Sequence, residues 1–586
     1  MSSLIASRYP GAQLIEDLER YLGDPLDPAT VFSFARCGDL DARERFPAEI
    51  CEILDAWQLA RSYVPVRHGE AMASFDQPLH VLRALARRDV TVAVAHGKTF
   101  LGAVSAWVAG RSEQQTNLGR RILDGAVVSW GLTERDHGGD LLAGDVSARR
   151  VPGGYRVTGE KWLINNATRG DLISLLVRTD PAGGPRGFDV LLVDKSVLAE
   201  DSFRTLPKVA THGIRGADIS GIAFDDAFVS EDSLIGKPGT GSETVLKGLQ
   251  LTRTLCTALS LGASDHALRL AVDFAENRRL YGQVLARLPQ AHRVLTDAYA
   301  DHLLAEAMSL VAARSVHALP GEMSVVSAAA KFLVPVRTDE TIAALGRLLG
   351  ARSFLADTFA DGAYQKVVRD HGIVSLFDGS TVVNLNAIIN AFPVLAKNYR
   401  VGRVPDEVRQ VFDLTVPLPE FDPSRLSLVS RNGNSVLNAV ADGAAALHRL
   451  AISEPALAGV AESASRLAAH ANELHRRIAR HRPARIDIPA TAFELAARYA
   501  LCYAGACAVG LWLGSHAHAE DGDTADLWRD GIWLRAVLAR LLTALGDEVP
   551  ADPPLESVLA DSLRSQAGNG RLLSLLPISL AEGLEP

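Results

Sequence analysis

The apolar pattern of this chain changes period twice. From about residue 10 to 125 it is helical. Val81-Leu-Arg-Ala-Leu-Ala-Arg-Arg-Asp89 and the run from Thr91 to Val108 repeat apolar side chains at helical spacing with few breakers. From about 126 to 235, short apolar runs such as Leu172-Ile-Ser-Leu-Leu-Val177 and Phe188-Asp-Val-Leu-Leu-Val193 alternate with turn clusters such as Pro-Ala-Gly-Gly-Pro at 181–185. That is the texture of strands. From Ser242 to about 400 the helical period returns, and no proline interrupts Glu243 to Leu285. Two helical stretches around one β stretch predict an α+β fold, mostly α, with a helical shell around a small β-domain.

A proline-rich bridge, Val416-Pro-Leu-Pro-Glu-Phe-Asp-Pro423, reads as a semi-rigid linker. Beyond it the chain is Ala-, Leu- and Arg-rich at helical spacing, as in Ser465-Arg-Leu-Ala-Ala-His-Ala-Asn-Glu-Leu474. The expected domains are therefore a helical one at 1–125, a β-domain at 126–240, a second helical domain at 241–410 and an appended helical unit at 425–586. The last reads as a packing or dimerisation unit without chemistry of its own.

With 586 residues, 48% hydrophobic and 22% charged, the chain has ample material for a large core. Its net charge of −9 argues against nucleic acid or an acidic membrane as a partner. No apolar run reaches the ~18 residues of a membrane span, and no basic-then-apolar leader is visible. The five cysteines form no Cys-x-x-Cys pair and read as reduced thiols of a cytoplasmic protein. The sixteen histidines show no metal-ligand spacing, His516-Ala-His518 being weak alone, so no metal is expected.

Chemistry concentrates in Trp130-Gly-Leu-Thr-Glu-Arg-Asp-His-Gly-Gly-Asp140 and Gly159-Glu-Lys-Trp-Leu-Ile-Asn-Asn166, with the turn and strand start Gly153-Gly-Tyr-Arg-Val-Thr158 between them. A Thr at a strand end, a Gly-Gly turn and a second strand bearing amides suit a flat, polar-edged ring and a diphosphate. Glycine lets backbone N–H groups approach phosphate oxygens, and Thr offers a hydroxyl and an amide. A tight turn between strands is the other reading of Gly138-Gly139.

These segments resemble the flavin-binding strands of the acyl-CoA dehydrogenase family. The resemblance extends over about residues 70 to 400. It includes His96, Gly110-Arg-Ser-Glu-Gln-Gln115 and Gly125 upstream, and Gly213-Ile-Arg-Gly-Ala-Asp218 and Phe224-Asp-Asp-Ala-Phe-Val229 downstream. Arg278-Arg-Leu-Tyr-Gly282, Pro289-Gln290 and Leu376-Phe-Asp-Gly-Ser380 complete the series. It implies a helical, a β and a four-helix domain binding FAD, with a tail placed as in long-chain dehydrogenases and acyl-CoA oxidases.

Residue by residue, the resemblance implies that Thr133, Gly138 and Gly139 hold the flavin, Gly139 standing where the family usually has Ser. Leu163 and Asn165 match positions of a Trp and a Thr against the ring. Trp162 comes one residue early, and strand alternation turns it to the other side. Arg278, Tyr281 and Gln290 match residues that reach the adenosine half of a flavin held by a neighbouring subunit, which implies a homodimer; a solvated helix face is the plain alternative for Arg278. Arg347 and Gly350 stand in the family's Gln-x-x-Gly-Gly-x-Gly segment, and Ser380 adjoins the cofactor. Asp378 occupies the place of the catalytic Glu, with Arg253 and Gly379 beside the substrate. Its other reading is a cap on the following helix.

The activity implied is α,β-dehydrogenation of an acyl thioester, carried by coenzyme A or a carrier protein. Electrons pass to an electron-transfer flavoprotein or to O2. Rival readings are an acyl-CoA-oxidase-like enzyme or monooxygenase, a nitroalkane-oxidase-like enzyme favoured by the Asp, and a catalytically retired scaffold.

Overall fold

The computed structural model describes residues 9–69, 72–484, 487–519 and 524–583. Its first helices are α1 (Pro10–Leu22), α2 (Phe34–Ala42), α3 (Ala48–Ala56), α4 (Asp76–Arg88), α5 (Val90–Ala109) and α6 (Ser112–Leu123). Asp89 separates α4 from α5 because its extended backbone breaks the first helix while its side chain caps the second, accepting from the Val92 amide at 3.1 Å. α5 is apolar nearly all round and is buried accordingly.

The β-domain has β1 (Val128–Gly131), β2 (Ser147–Val151), β3 (Gly154–Asn165), β4 (Leu172–Arg178), β5 (Phe188–Asp194), β6 (Phe203–Leu206), β7 (Ile219–Ser230) and β8 (Leu234–Ile235). They form one sheet in the order β6-β7-β3-β2-β4-β5-β8, with β1 parallel to β4. The continuous apolar runs of β4 and β5 follow from burial on both faces. Leu172, Leu176, Phe188 and Val190 join the main helical core. Ile173, Leu175, Val177, Leu191 and Val193 fill a smaller core on the other face of the sheet. Ser174 ties the layers together by donating to the Gly102 carbonyl of α5 at 2.6 Å.

Next come α7 (Gly241–Asn277), a hairpin of β9 (Arg279–Leu280) and β10 (Gln283–Val284), α8 (Pro289–Ala318), α9 (Met323–Leu349), α10 (Ala363–His371) and α11 (Thr381–Val401). The 37-residue α7 is the central post, packed by α4, α5, α8 and α9. The appended helices are α12 (Val440–Ser453), α13 (Ala458–Ile478), α14 (Ala490–Ser515), α15 (Ile532–Ala544) and α16 (Pro553–Gly568). α14 lies on α8, α9 and α11, and α15 and α16 lie on α8. The chain then returns past the central post to the first domain: Leu573 donates to Asp265 of α7 at 2.8 Å and Ser579 to Glu16 of α1 at 2.9 Å.

Two expectations are corrected. The bridge at 416–423 is docked: Phe421 is buried and stacks on Phe75 at 5.7 Å, and His317 and Arg314 hold the Pro419 and Val416 carbonyls at 2.7 and 3.0 Å. Proline removes backbone donors there, and side chains from α8 satisfy the exposed acceptors instead. Two helices, Val90–Ala109 and Ala490–His518, are also long and apolar enough to cross a membrane, contrary to the sequence estimate. Most of each is buried inside the protein, at 78% and 83%, so their apolar surface is accounted for by the core.

Candidate active site

The loop between α10 and α11 ends in two left-handed residues, Asp378 at φ +53° and Gly379 at φ +103°. A Cβ on Gly379 would lie 2.8 Å from Arg253 Nη2, so glycine is required both by conformation and by space. Side chains from three helices hold this loop by its carbonyls. Lys331 of α9 donates to Val374 at 2.6 Å and to Gly379 at 3.4 Å. Arg253 of α7 donates Nε to Asp378 at 2.9 Å. Asn384 of α11 reaches back to Gly379 and Ser380 at 2.8 and 3.1 Å. The capping role considered for Asp378 is not formed: Ser380 is the N-cap residue of α11, and no side chain caps there. The Asp378 carboxylate instead faces the Cys256 thiol of α7, Sγ to Oδ2 3.9 Å.

Three cations share this neighbourhood: Arg253, Lys331 and Lys98 of α5. Burial lowers all three below their ordinary values, and the charge of Asp378 works against that lowering in each. Burial raises the Cys256 thiol, and Asp378 raises it further, so it stays protonated at neutral pH.

On the β-domain side, the Thr133 carbonyl accepts from the Trp162 amide at 3.0 Å, which joins the loop after β1 to β3. The expected alternation fails here. Leu163 sits at φ +56° in a register shift between Trp162 and Ile164 against β7, a bulge that re-aims its side chain, leaving it 40% exposed. The Trp162 ring is covered by Arg135 at 4.4 Å, itself 3.3 Å from Glu160. Asn165 donates to the Val94 carbonyl of α5 at 3.0 Å, while its Oδ1 is buried without a partner. A Cβ on Gly138 or Gly139 would meet no protein atom within 4 Å. An orphaned amide oxygen, an outward Leu163 and open Gly-Gly backbone fit a flavin and its diphosphate.

The second set of expected residues lies elsewhere on the surface. Arg278 closes α7, and Tyr281-Gly282, both at positive φ, form the two-residue turn of the β9–β10 hairpin. Tyr281 is 93% exposed at its tip. Gln290 opens α8, Arg347 lies on the last turn of α9 and Gly350 follows it at φ +63°, all three exposed. No hydrogen bond or ion pair among the described residues links these side chains to Thr133, Asn165 or Asp378.

Among the described residues, Glu134, His137 and Asp145 bring possible metal ligands within 4.8 Å of one another. Glu134 is already engaged by Lys161 at 2.7 Å and by the Asp145 and Val146 amides at 2.6 and 3.1 Å, so this grouping closes the 134–145 loop.

Sequence reading missed Lys98, Cys256 and Lys331. A signal was present for Lys98, the only Asp, Glu, Lys or Arg in the twenty residues of α5. An isolated charge on an otherwise apolar buried helix is costly unless it serves a site.

Open Gly138-Gly139 backbone and an unpartnered Asn165 Oδ1 on the β-domain, with a clamped carboxylate on the α10–α11 loop, are parts that suit a flavin-dependent oxidoreductase. Residues 129–227 match the acyl-CoA dehydrogenase middle domain and residues 239–392 the acyl-CoA dehydrogenase C-terminal domain. These two segments are those of an acyl-CoA dehydrogenase, and the cofactor is FAD. A probable acyl-CoA dehydrogenase, fadE25 of Mycobacterium leprae (strain TN), is 25% identical over 347 residues, covering 59% of this chain and 87% of that protein. Among solved structures, butyryl-CoA dehydrogenase from Megasphaera elsdenii is similar with a TM-score of 0.58 at 19% identity, covering 66% of this chain and 97% of that one. The prolyl acyl carrier protein oxidase AnaB is similar with a TM-score of 0.58 at 16% identity, covering 64% and 97%.

Proposed function

We propose that the protein desaturates an acyl thioester between its α and β carbons, with Asp378 as the base. The observation that carries this reading is the Asp378 carboxylate, uncapped, on a loop held at four carbonyls. Asp is shorter than Glu by about 1.5 Å, and a clamped backbone gives the short side chain a fixed origin. Bound FAD supplies the hydride acceptor, so the α proton goes to Asp378, the β hydrogen leaves with its electron pair, and a carbon–carbon double bond remains.

In this reading Thr133, Gly138, Gly139, Leu163, Asn165 and Ser380 hold the flavin, and Arg253 and Gly379 keep the base and substrate in register. Arg278, Tyr281, Gln290, Arg347 and Gly350 reach the adenosine of a flavin in a second copy; the exposed hairpin tip at Tyr281 supports a homodimer. The thiol carrier is coenzyme A or a carrier protein, and electrons pass to an electron-transfer flavoprotein.

The test is anaerobic bleaching of the purified holoprotein by acyl thioesters. Asp378→Asn should retain FAD and slow bleaching by about 10²–10⁴-fold, the usual worth of a positioned base. Wild-type bleaching by Asp378→Asn would remove Asp378 from the mechanism. Bleaching by nitroethane instead of a thioester would favour nitroalkane chemistry, and rapid reoxidation in air would favour an oxidase.

A further inference from the structure

A cavity of about 490 Å³ opens where the α2–α3 loop meets the edge of the β-domain. That is the size of a small-ligand site. None of the residues assigned above to the flavin, the base or the substrate lines it. Its walls are fixed. Lys208 spans the junction, donating to the Glu44 carbonyl of the loop at 2.8 Å and to the Arg215 carbonyl of the β-domain. Gly216 lets the two backbones close, since a Cβ there would lie 2.5 Å from the Arg45 carbonyl. The buried Asp218 carboxylate accepts from the Thr168 and Arg169 amides at 3.1 and 3.2 Å and from the Ser220 hydroxyl at 2.7 Å. Lys208 and Asp218 are therefore committed within the protein.

Arg169 is not. Its guanidinium lies over the Phe46 ring, 3.8 Å from the centroid, and among the described residues it makes no hydrogen bond and no ion pair. Stacking holds the planar group by one face and leaves its N–H edge free. Thr205 adds an exposed hydroxyl, and Phe46, Leu206 and Pro207 supply an apolar wall. One guanidinium fork beside a hydroxyl and an apolar wall suits a monoanion with an apolar body. The Glu44 and Asp218 carboxylates in the lining disfavour a doubly charged group such as a phosphate monoester.

We propose that this cavity binds a free carboxylic acid, its carboxylate forked on Arg169 and its apolar part against Phe46, Leu206 and Pro207. The site does not depend on the desaturation reading. Its floor is tied to the expected flavin strand, because the Asp218 carbonyl accepts from the amide of Asn166, next to Asn165, at 2.7 Å.

The experiment titrates the FAD-loaded full chain, by calorimetry, with hexanoate and phenylacetate and with the neutral hexanamide and phenylacetamide. Wild type should bind at least one acid at a single site about 10–100-fold more tightly than its amide, the worth of a hydrogen bond to a charged group. Arg169→Gln should abolish the difference. Arg169→Lys should recover little of it, because an ammonium neither forks nor stacks flat. Both variants should keep the wild-type FAD content and melting temperature. Phe46→Leu keeps an apolar wall but removes the stacking platform, and should weaken the acid severalfold. Asp378→Asn should bind the acid as wild type does. Equal binding of acid and amide by wild type, or no binding of either acid, would overturn the proposal. So would acid binding that survives Arg169→Gln or is lost in Asp378→Asn, since the acid would then sit in the active site.

Discussion

Gly379→Ala tests the clamp on the base. The new Cβ would sit 2.8 Å from Arg253 Nη2 and 3.2 Å from its Nε, at a backbone φ of +103°. Holding an L residue in such a region costs about 1–3 kcal/mol. Arg253 is buried and cannot swing into solvent, so it must yield within the core. Its 2.9 Å bond to the Asp378 carbonyl is then lost or lengthened, a change of about 1.5–3 kcal/mol for a charged donor. A displacement of the carboxylate near ~1 Å costs roughly a hundredfold in rate. The expected result is a protein that binds FAD, melts a few degrees earlier and bleaches about 100-fold more slowly under saturating thioester in stopped flow. Gly138→Ala is the control, since its Cβ meets no protein atom within 4 Å; it should leave the melting temperature of the FAD-free protein unchanged and alter only FAD affinity. Wild-type melting and wild-type bleaching in Gly379→Ala would refute the claim that Arg253 and this glycine set the position of the base.

Glu306 of α8 holds the returning C-terminal segment: it accepts from Arg83 at 2.5 Å, from the Leu575 amide at 2.7 Å and from the Ser574 hydroxyl, with both Glu306 and Arg83 fully buried. Glu306→Gln leaves Arg83 without its counter-charge, so a loss of about 3–5 kcal/mol is expected, together with faster amide exchange around residues 573–576; unchanged exchange there would contradict it. Acid should destabilise the fold in two stages. Burial holds His266 and His475 at about 4 and His80 at about 3, below the ordinary ~6.5. The unfolded chain therefore takes up protons first, and the stability present above pH ~6.5 is lost as pH falls through 4, on the order of 3 kcal/mol per histidine. Glu19 adds a second stage: burial raises its carboxyl, but Arg88 and Arg87 outweigh this and hold it at about 2. Its contribution, present above ~4.5, is lost towards pH 2, and a melting temperature constant from pH 7 to 4 would refute the histidine stage.

What the sequence by itself determined is what depends on local geometry. The period of 3.6 in α5 and α7 and the runs of β4 and β5 are written into neighbouring residues, because side-chain direction repeats with the backbone. The linear motifs were legible for the same reason, and they located the Asp378 loop and the Thr133 and Asn165 segments. Only the tertiary structure decided the rest. Leu163 escapes strand alternation because its bulge is set by pairing with β7, which lies more than fifty residues away in the chain. The Val416–Pro423 bridge reads as a linker because prolines are local signals, yet Phe75, Arg314 and His317 from distant helices dock it. The company of Asp378 could be read only in part: Arg253 and Gly379 were expected beside it, but Lys98, Cys256 and Lys331 come from three helices, and nothing near any of them in sequence records where the other two will pack. Periodicity specifies which face of an element is buried; which elements then meet is settled by the packing of the whole core.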